Sequence, residues 1–366
     1  MKILQITPSL VNAGAERFIV DLSNQLAFEN HDVTLISLVG NIESSLLYKE
    51  IDNSIKIITF NKPKGFSLSC YNQLNKYISE NPYDIIHTHT RSLSYISLFN
   101  IFKSRAKFVH TIHNDAKKET KQKVIRLYRK ILFKFSFIYP VSISKNSHKS
   151  TLIEYGLDSV LIPNGSRKIE KSVLYDKVLN HIAQFKPTEN TKVFVNIARI
   201  VTQKNQKLLT DVFSKLKDNS VDSILLIIGS VIEKHILNEL KSNLPSNVFL
   251  LGEIDNATDY LFGSDVFSLS STWEGMPISL IEAFDAGCVP ICTPAGGVVN
   301  MINDGQNGFL SDDFSAQSLY SKILEYCDLN KSDILKMKLN CTSTYSKYYS
   351  MEKCCNNYIN FYKKIL

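Results

Sequence analysis

The chain has 366 residues, with 42 Lys and Arg against 35 Asp and Glu and a formal net charge of +7. That length holds two domains with sizeable cores, and 44% hydrophobic with 21% charged residues is ordinary for a globular protein. No run approaches a transmembrane helix, and the apolar start is broken by Gln5 and Pro8, so it reads as no secretory signal. Seven cysteines without a C-x-x-C pair read as reduced thiols of a cytoplasmic protein.

Residues 2–7 alternate into a short strand, residues 8–13 form a loop, and residues 14–28 carry Phe18, Ile19, Leu22 and Leu26 at the spacing of a helix facing a core. A strand at 33–38 completes a β-loop-α-β opening, the start of a doubly wound fold. Its loop, Asn12-Ala13-Gly14-Ala15-Glu16-Arg17, holds a single glycine rather than the G-x-G-x-x-G fingerprint, which argues against a dehydrogenase. Strands follow at 54–60 and 83–88 with a helix at 68–79 between them. Asp84-Ile85-Ile86-His87-Thr88-His89 ends a strand on the side where ligands bind in open α/β sheets. A further strand at 107–112 runs into His113-Asn114-Asp115. The three histidines have neither helical spacing nor an acidic partner, so no metal site is expected.

Charge is uneven. Lys103, Arg105 and Lys107 precede Lys117, Lys118, Lys121, Lys123, Arg126, Arg129, Lys130 and Lys134, opposed only by Asp115 and Glu119. Such a cluster favours an anionic partner. Residues 117–135 read as one amphipathic basic helix, with Val124, Ile125, Tyr128, Ile131, Leu132 and Phe135 on one face and Lys123, Arg126, Lys130 and Lys134 on another. The functional reading is docking to an anionic membrane surface through Lys117, Lys118, Lys121, Lys123, Arg126, Lys130 and Lys134, each worth up to about 1 kcal/mol there. The alternative is a core-packing helix with a solvated basic face. No interleaved aromatic platform supports nucleic-acid binding. A strand at 137–142, a helix at 144–155 and the turn signal Pro163-Asn164-Gly165 close this half. Residues 166–190 read as a polar linker with one helix near 175–185.

A strand at 193–198 runs into Arg199-Ile200-Val201-Thr202-Gln203-Lys204-Asn205-Gln206. Two cations flanking a strand-to-helix loop are placed to clamp a diphosphate and stabilise it as a leaving group. Strands at 223–229 and 248–252, a short helix at 257–262 and a buried strand at 266–269 lead to the stretch from Ser270 to Gly287. Pro277 suits the first turn of a helix, and Gly287 is its stop. The helix start then offers the backbone of Gly275, Met276, Pro277 and Ile278 to an anion such as phosphate. From Pro277 to Glu282 the helix rises roughly 7–8 Å, about the span from a diphosphate to its ribose, so Glu282 would accept ribose hydroxyl hydrogen bonds. Glu274 is repelled by phosphate and fits better against neutral sugar hydroxyls, facing positive charge that develops in a transition state. The alternative is a surface helix with two solvated glutamates. Strands at 289–292 and 307–310 flank the loop Pro294-Ala295-Gly296-Gly297-Val298, and no internal repeat is evident.

The run Ser-x-x-Glu-Gly-x-Pro-x-x-x-x-Glu-Ala, with Glu274 and Glu282 and the Gly-Cys-Val-Pro that follows, resembles the donor-site signature of retaining family-4 glycosyltransferases. The resemblance implies the GT-B fold, two Rossmann-like α/β domains facing across a cleft. It assigns residues 1–166 with 346–366 to an acceptor-binding domain and 167–345 to a nucleotide-sugar donor domain, with the last helix returning to the first domain. Asn12–Arg17 is similar to the family's Gly-Gly-Ala-Glu-Arg loop, with Ala13 for its first glycine; Gly14 would let the diphosphate approach. Arg199 and Lys204 match its phosphate-binding pair, His113 its strand-end histidine near the donor sugar, and Glu253 and Ile254 the segment that reads the base. Gly229-Ser230-Val231 departs from the family's acidic glycine-rich loop. The implied reaction moves a sugar from a nucleotide diphosphate, UDP by base rate, to a glycan or lipid-linked acceptor of a bacterial surface polysaccharide such as capsule or O-antigen. The acceptor attacks on the face from which the diphosphate leaves, with no protein nucleophile, no cofactor and no metal. Three rivals remain: a glycoside hydrolase, whose carboxylates would sit closer together, a nucleotide-sugar epimerase on the same fold, and a catalytically silent partner in a membrane assembly.

Overall fold

The structure is a computed structural model that describes every residue except Asn41, Glu43, Ser44 and Lys121. Lys121, one of the cations expected to meet an anionic surface, therefore lies outside the described residues. Contacts divide the chain into two units, Met1–Arg167 with Tyr348–Leu366 and Lys168–Lys347.

The first unit is built on seven parallel strands: β1 (Lys2–Thr7), β2 (Asp32–Ser37), β3 (Lys56–Thr59), β4 (Ile85–His89), β5 (Lys107–Ile112), β6 (Ile138–Ser142) and β7 (Val160–Leu161), in the order β3-β2-β1-β4-β5-β6-β7. Helices cover both faces, so the strands read as nearly continuous apolar runs; Ile3, Leu4 and Ile6 are fully buried, and so is the polar Gln5 between them. The helix Met351–Ile365 completes this unit, burying Cys354, Cys355, Tyr358 and Tyr362. Gly165 lets it seat: a Cβ there would come within 2.8 Å of the Ser350 carbonyl oxygen. Met351 N–H donates to Ser166 O at 2.9 Å and Ser166 N–H to Tyr349 O at 3.0 Å.

The second unit has six parallel strands: β8 (Lys192–Ile197), β9 (Ser223–Ile228), β10 (Val248–Gly252), β11 (Val266–Leu269), β12 (Val289–Cys292) and β13 (Phe309–Leu310), ordered β10-β9-β8-β11-β12-β13. Both units thus share one doubly wound plan, in which strand order reverses beside the first strand. That reversal, between β1 and β4 and again between β8 and β11, opens a crevice at the carboxyl ends where ligands bind. The expected GT-B architecture of two Rossmann-like domains is present.

Two local expectations change. Residues 117–135 are not one helix but two, Ala116–Glu119 and Lys123–Lys134. Thr120 is extended, with φ −132° and ψ 97°, and ends the first. The second is also rotated: Arg129, Leu132 and Phe133 are buried, whereas Val124 is 81% and Phe135 62% exposed. A buried ion pair to Arg129 sets that rotation, as described below. Secondly, Pro277 sits at the N-cap with ψ 125° instead of inside the first turn, and the helix proper is Ile278–Asp285. Gly287 follows it with φ +66°.

Candidate active site

In the second unit two loops leave the carboxyl edge at the β8/β11 reversal and are stitched together. The loop after β8 closes in a short 3-10 turn, Thr202–Lys204, and Asn205 takes φ +48° to launch the helix Gln206–Asp218. An asparagine tolerates that left-handed conformation better than most side chains. Gln206 is buried and its Nε2 donates to Arg199 O at 3.0 Å. The loop after β11 hangs on the first: Thr272 N–H donates to Gln203 O at 2.9 Å, Gln203 Nε2 to Trp273 O at 2.8 Å, and the Ser270 hydroxyl lies 2.8 Å from Asn205 O. From below, the Thr293 hydroxyl donates to Ser271 O at 2.7 Å.

These links bring Lys204 and Glu274 together, with Nζ and Oε1 2.6 Å apart and both side chains largely buried. Glu274 leads into buried Gly275, Met276, Pro277 and Ile278, and Glu282 follows, half-buried, in the helix that Ile278 begins. Arg199 is half-buried, and its guanidinium makes no hydrogen bond or ion pair to a described residue. A free cation, a paired lysine and a helix start gather positive potential where a diphosphate would sit. Glu253 is exposed and Ile254 half-buried just beyond β10. Sequence reasoning missed the brace behind Glu274. Gly296 has φ +55°, and a Cβ on it would lie 1.9 Å from Glu274 O, while Gly297 N–H donates to that oxygen at 3.1 Å. The Gly-Gly pair in the loop after β12 was the available signal.

In the first unit Gly14 is exposed and opens the helix Gly14–Phe28, after extended Ala13. His113 lies just past β5, its ring edge-on to Phe18 with centroids 5.6 Å apart. Behind it is a buried polar network that the sequence did not reveal. His113 Nε2 is 3.0 Å from His89 Nδ1, and His89 Nε2 is 2.7 Å from Gln5 Oε1. His87 bridges the Thr111 hydroxyl and Tyr362 Oη, at 2.7 Å each. The cross-strand registers Gln5↔His87 and His89↔Thr111 make these meetings possible. Burial holds His87 and His89 well below the ordinary histidine range and takes His113 down to about 4, against the pull of Glu119. All three are therefore neutral near pH 7. Both ring nitrogens of His87 and His89, and Nε2 of His113, lie within hydrogen-bond distance of neighbours, and among the described residues no group of three His, Cys, Asp or Glu is arranged to hold a metal.

Glu119 is no solvated counter-charge. Its Oε1 accepts from Arg129 Nη1 at 2.9 Å and lies 3.1 Å from His110 Nε2, while Oε2 accepts from His113 N–H at 3.1 Å. Burial would raise this carboxyl, but the His110 hydrogen bond and the Arg129 charge outweigh it and bring it to about 2. Arg129 also donates to Thr90 O at 3.1 Å. This internal anchor turns Arg129 inward and leaves Val124, Leu127 and Ile131 exposed. Arg126 likewise turns in, onto Glu154 at 3.0 Å, and is not part of the free basic face. Lys117, Lys118, Lys123, Lys130 and Lys134 are exposed.

Residues 12–166 match the family model described as Glycosyltransferase Family 4, and residues 179–339 match the one described as Glycosyl transferases group 1. The chain is 27% identical over 368 residues to the UDP-Gal:alpha-D-GlcNAc-diphosphoundecaprenol alpha-1,3-galactosyltransferase of Escherichia coli, covering 92% of this chain and 90% of that protein. It is 26% identical over 304 residues to the capsular polysaccharide biosynthesis glycosyltransferase CapH of Staphylococcus aureus, covering 80% and 81%. In fold it is similar to Anabaena HepE, solved in complex with UDP and glucose, with a TM-score of 0.83, 19% identity and full coverage of both chains. The chain belongs to the family-4 glycosyltransferases of GT-B fold and is a glycosyltransferase.

Proposed function

We propose that this enzyme moves a sugar from a UDP-sugar, with retention of anomeric configuration, to a lipid-diphosphate-linked glycan in surface polysaccharide synthesis. The observation that carries the proposal is the Lys204–Glu274 ion pair, 2.6 Å long, at the start of the Ile278–Asp285 helix. A diphosphate at the helix start competes with Glu274 for Lys204. As Lys204 and Arg199 turn to the phosphates, the Glu274 carboxylate is released to the donor sugar's hydroxyls. Glu282 holds the ribose, and Glu253 and Ile254 flank the base. Positive charge from the two cations and the helix start takes up the negative charge of the departing UDP, the part a metal plays elsewhere. In the first unit, Gly14 and His113 are the residues we assign to substrate. The names of the E. coli and S. aureus relatives support the donor and acceptor classes.

Docking to an anionic membrane belongs to the same proposal. Exposed Val124, Leu127, Ile131 and Phe135 run along one helix beside Lys123, Lys130 and Lys134. The aromatic series continues through Phe137 to Phe102, whose rings are 4.8 Å apart. Apolar side chains that enter the headgroup region, ringed by lysines, are the makings of an interfacial anchor. No helix among the described residues is long and apolar enough to cross a membrane.

The test is transfer from UDP-sugars to a GlcNAc-diphospho-lipid presented in vesicles, with the product's anomeric configuration read by NMR. The proposal expects an α-linked product from an α-linked donor, and turnover that falls when phosphatidylglycerol is replaced by phosphatidylcholine. An inverted linkage, or turnover only with GDP- or ADP-linked donors, would overturn it.

A further inference from the structure

We infer that Gln5 and His89 form a positioning relay that fixes His113 as its Nε2–H tautomer, so that Nδ1 faces a sugar hydroxyl as a hydrogen-bond acceptor. This rests on reading His113 as a residue of the reaction centre and specifies what its ring offers there.

The argument begins at β1. Ile3-Leu4-Gln5-Ile6 is a buried strand in which Gln5 alone is polar, with no exposure at all. A buried amide is costly unless it is hydrogen-bonded. The Gln5 carbonyl oxygen Oε1 stands 2.7 Å from His89 Nε2, and an amide oxygen only accepts. The proton is therefore on His89 Nε2. Burial and the neighbouring His87 keep His89 neutral, so that ring carries one proton and its Nδ1 is bare. A bare Nδ1 at 3.0 Å from His113 Nε2 accepts, which places the His113 proton on Nε2. His113 is neutral too. Its Nδ1 is then an acceptor, and among the described residues no hydrogen bond is made to it.

The direction of the chain follows from the Gln5 amide, whose oxygen is the atom that meets His89 Nε2, at 2.7 Å, while its nitrogen makes no hydrogen bond to a described residue. Tyr362 Oη is 2.7 Å from His87 Nδ1, and His87 Nε2 is 2.7 Å from the Thr111 hydroxyl, so every ring has a consistent assignment. The backbone is held as well, because Glu119 accepts from His113 N–H at 3.1 Å. Glu119 places the ring while His89 sets its proton. Both are positioning residues, and His113 is the one that meets sugar.

The test uses the full chain labelled with 15N-histidine. Two-bond proton–nitrogen correlation spectra separate protonated from bare ring nitrogens, and the His113→Gln spectrum assigns the His113 signals. The wild-type protein should show a protonated Nε2 and a bare Nδ1 at His113 across pH 6–8, without nucleotide. Gln5→Met removes the accepting oxygen while keeping the volume. It should give a mixed His113 tautomer and lower kcat about tenfold or more, with the thermal shift on UDP retained as proof of folding. His89→Asn keeps an acceptor near the Nδ1 position and should restore the His113 tautomer and most of the rate lost in His89→Leu. A protonated Nδ1 at His113 in the wild type overturns the relay, as does a Gln5→Met protein with unchanged tautomer and rate. Wild-type turnover in His113→Ala, whatever the spectra show, overturns the reaction-centre reading instead, and with it the sugar-facing role of Nδ1.

Discussion

Replacing Gly296 by alanine tests whether the backbone behind Glu274 matters as much as its carboxylate. Gly296 has φ +55°, and an added Cβ would lie 1.9 Å from Glu274 O and 3.1 Å from Glu274 N. Real Cβ atoms keep at least 3.0 Å from such neighbours, so the Glu274 segment must retreat by about 1 Å to regain van der Waals distance. Holding an L-residue in the left-handed region costs roughly 1–2 kcal/mol. Losing the 3.1 Å bond from Gly297 N–H to Glu274 O costs about 1 kcal/mol more. The fold survives that loss, but the chemistry should not. A misplacement of about 1 Å is worth on the order of 100-fold in rate, and Glu274 would also part from Lys204. Gly305→Ala supplies the control, since Gly305 has φ +72° and nothing within 4 Å of an added Cβ. It carries the same backbone penalty without the clash. Sugar transfer and thermal midpoint should be measured for both. We expect a stability loss about 1 kcal/mol larger in Gly296→Ala than in Gly305→Ala, and a rate loss of about 100-fold in Gly296→Ala alone. Equal turnover in the two variants would refute the claim that this glycine positions Glu274.

Three further outcomes are expected. Glu282→Ala should weaken UDP-sugar binding roughly 10- to 100-fold by calorimetry, as expected for lost hydrogen bonds to a charged acceptor, and unchanged affinity would remove Glu282 from the ribose site. Glu119→Ala leaves Arg129 buried without its carboxylate and should cost about 3–5 kcal/mol in urea denaturation; a loss below about 1 kcal/mol, the range of exposed ion pairs, would contradict the buried anchor. Asp21 gives a pH signature. Burial raises its carboxyl to about 6, against Arg17 and Arg167. A raised carboxyl favours the folded state below its unfolded value of 3.8, and that contribution is lost as pH rises through about 6. Asp21→Asn should therefore match the wild type below about pH 4 and be more stable above pH 6, by on the order of 2–3 kcal/mol. A pH-independent difference in thermal midpoint would count against the shift.

The second unit's candidate site could be drawn from sequence because its residues are local. Arg199 and Lys204 share one loop, Glu274 and Glu282 one short stretch, and each stands where a strand gives way to a helix. What stayed hidden there is contact between segments far apart in sequence. Gln203 reaches Trp273 O, and Gly296 packs on Glu274. The first unit was harder because its site is assembled across strands. Gln5, His89 and His113 come from three segments and meet only through the registers of β1, β4 and β5. Glu119 shows why a charge count misleads. Among so many lysines it reads as a solvated counter-ion, yet it is buried against Arg129. With Arg129 turned inward, the Lys123–Lys134 helix buries Leu132 and Phe133 and exposes Val124 and Ile131, so periodicity gave an apolar stripe but not which of its residues are buried.

The two units put opposite electrostatics on the same architecture. Each places its candidate residues at the carboxyl edge of a sheet whose order reverses beside the first strand. In the second unit those residues are charged, a guanidinium, an ammonium and two carboxylates, as binding and releasing a diphosphate requires. In the first they are histidines kept neutral by burial. A neutral ring with one bare nitrogen can accept a hydrogen bond from a sugar hydroxyl, the part proposed for His113. The burial that keeps those histidines uncharged requires a closed network of partners, and Gln5, Thr111, Tyr358 and Tyr362 supply it. That requirement explains why a glutamine stands between Leu4 and Ile6 in β1, and why the returning helix Met351–Ile365 brings two buried tyrosine hydroxyls to the first sheet.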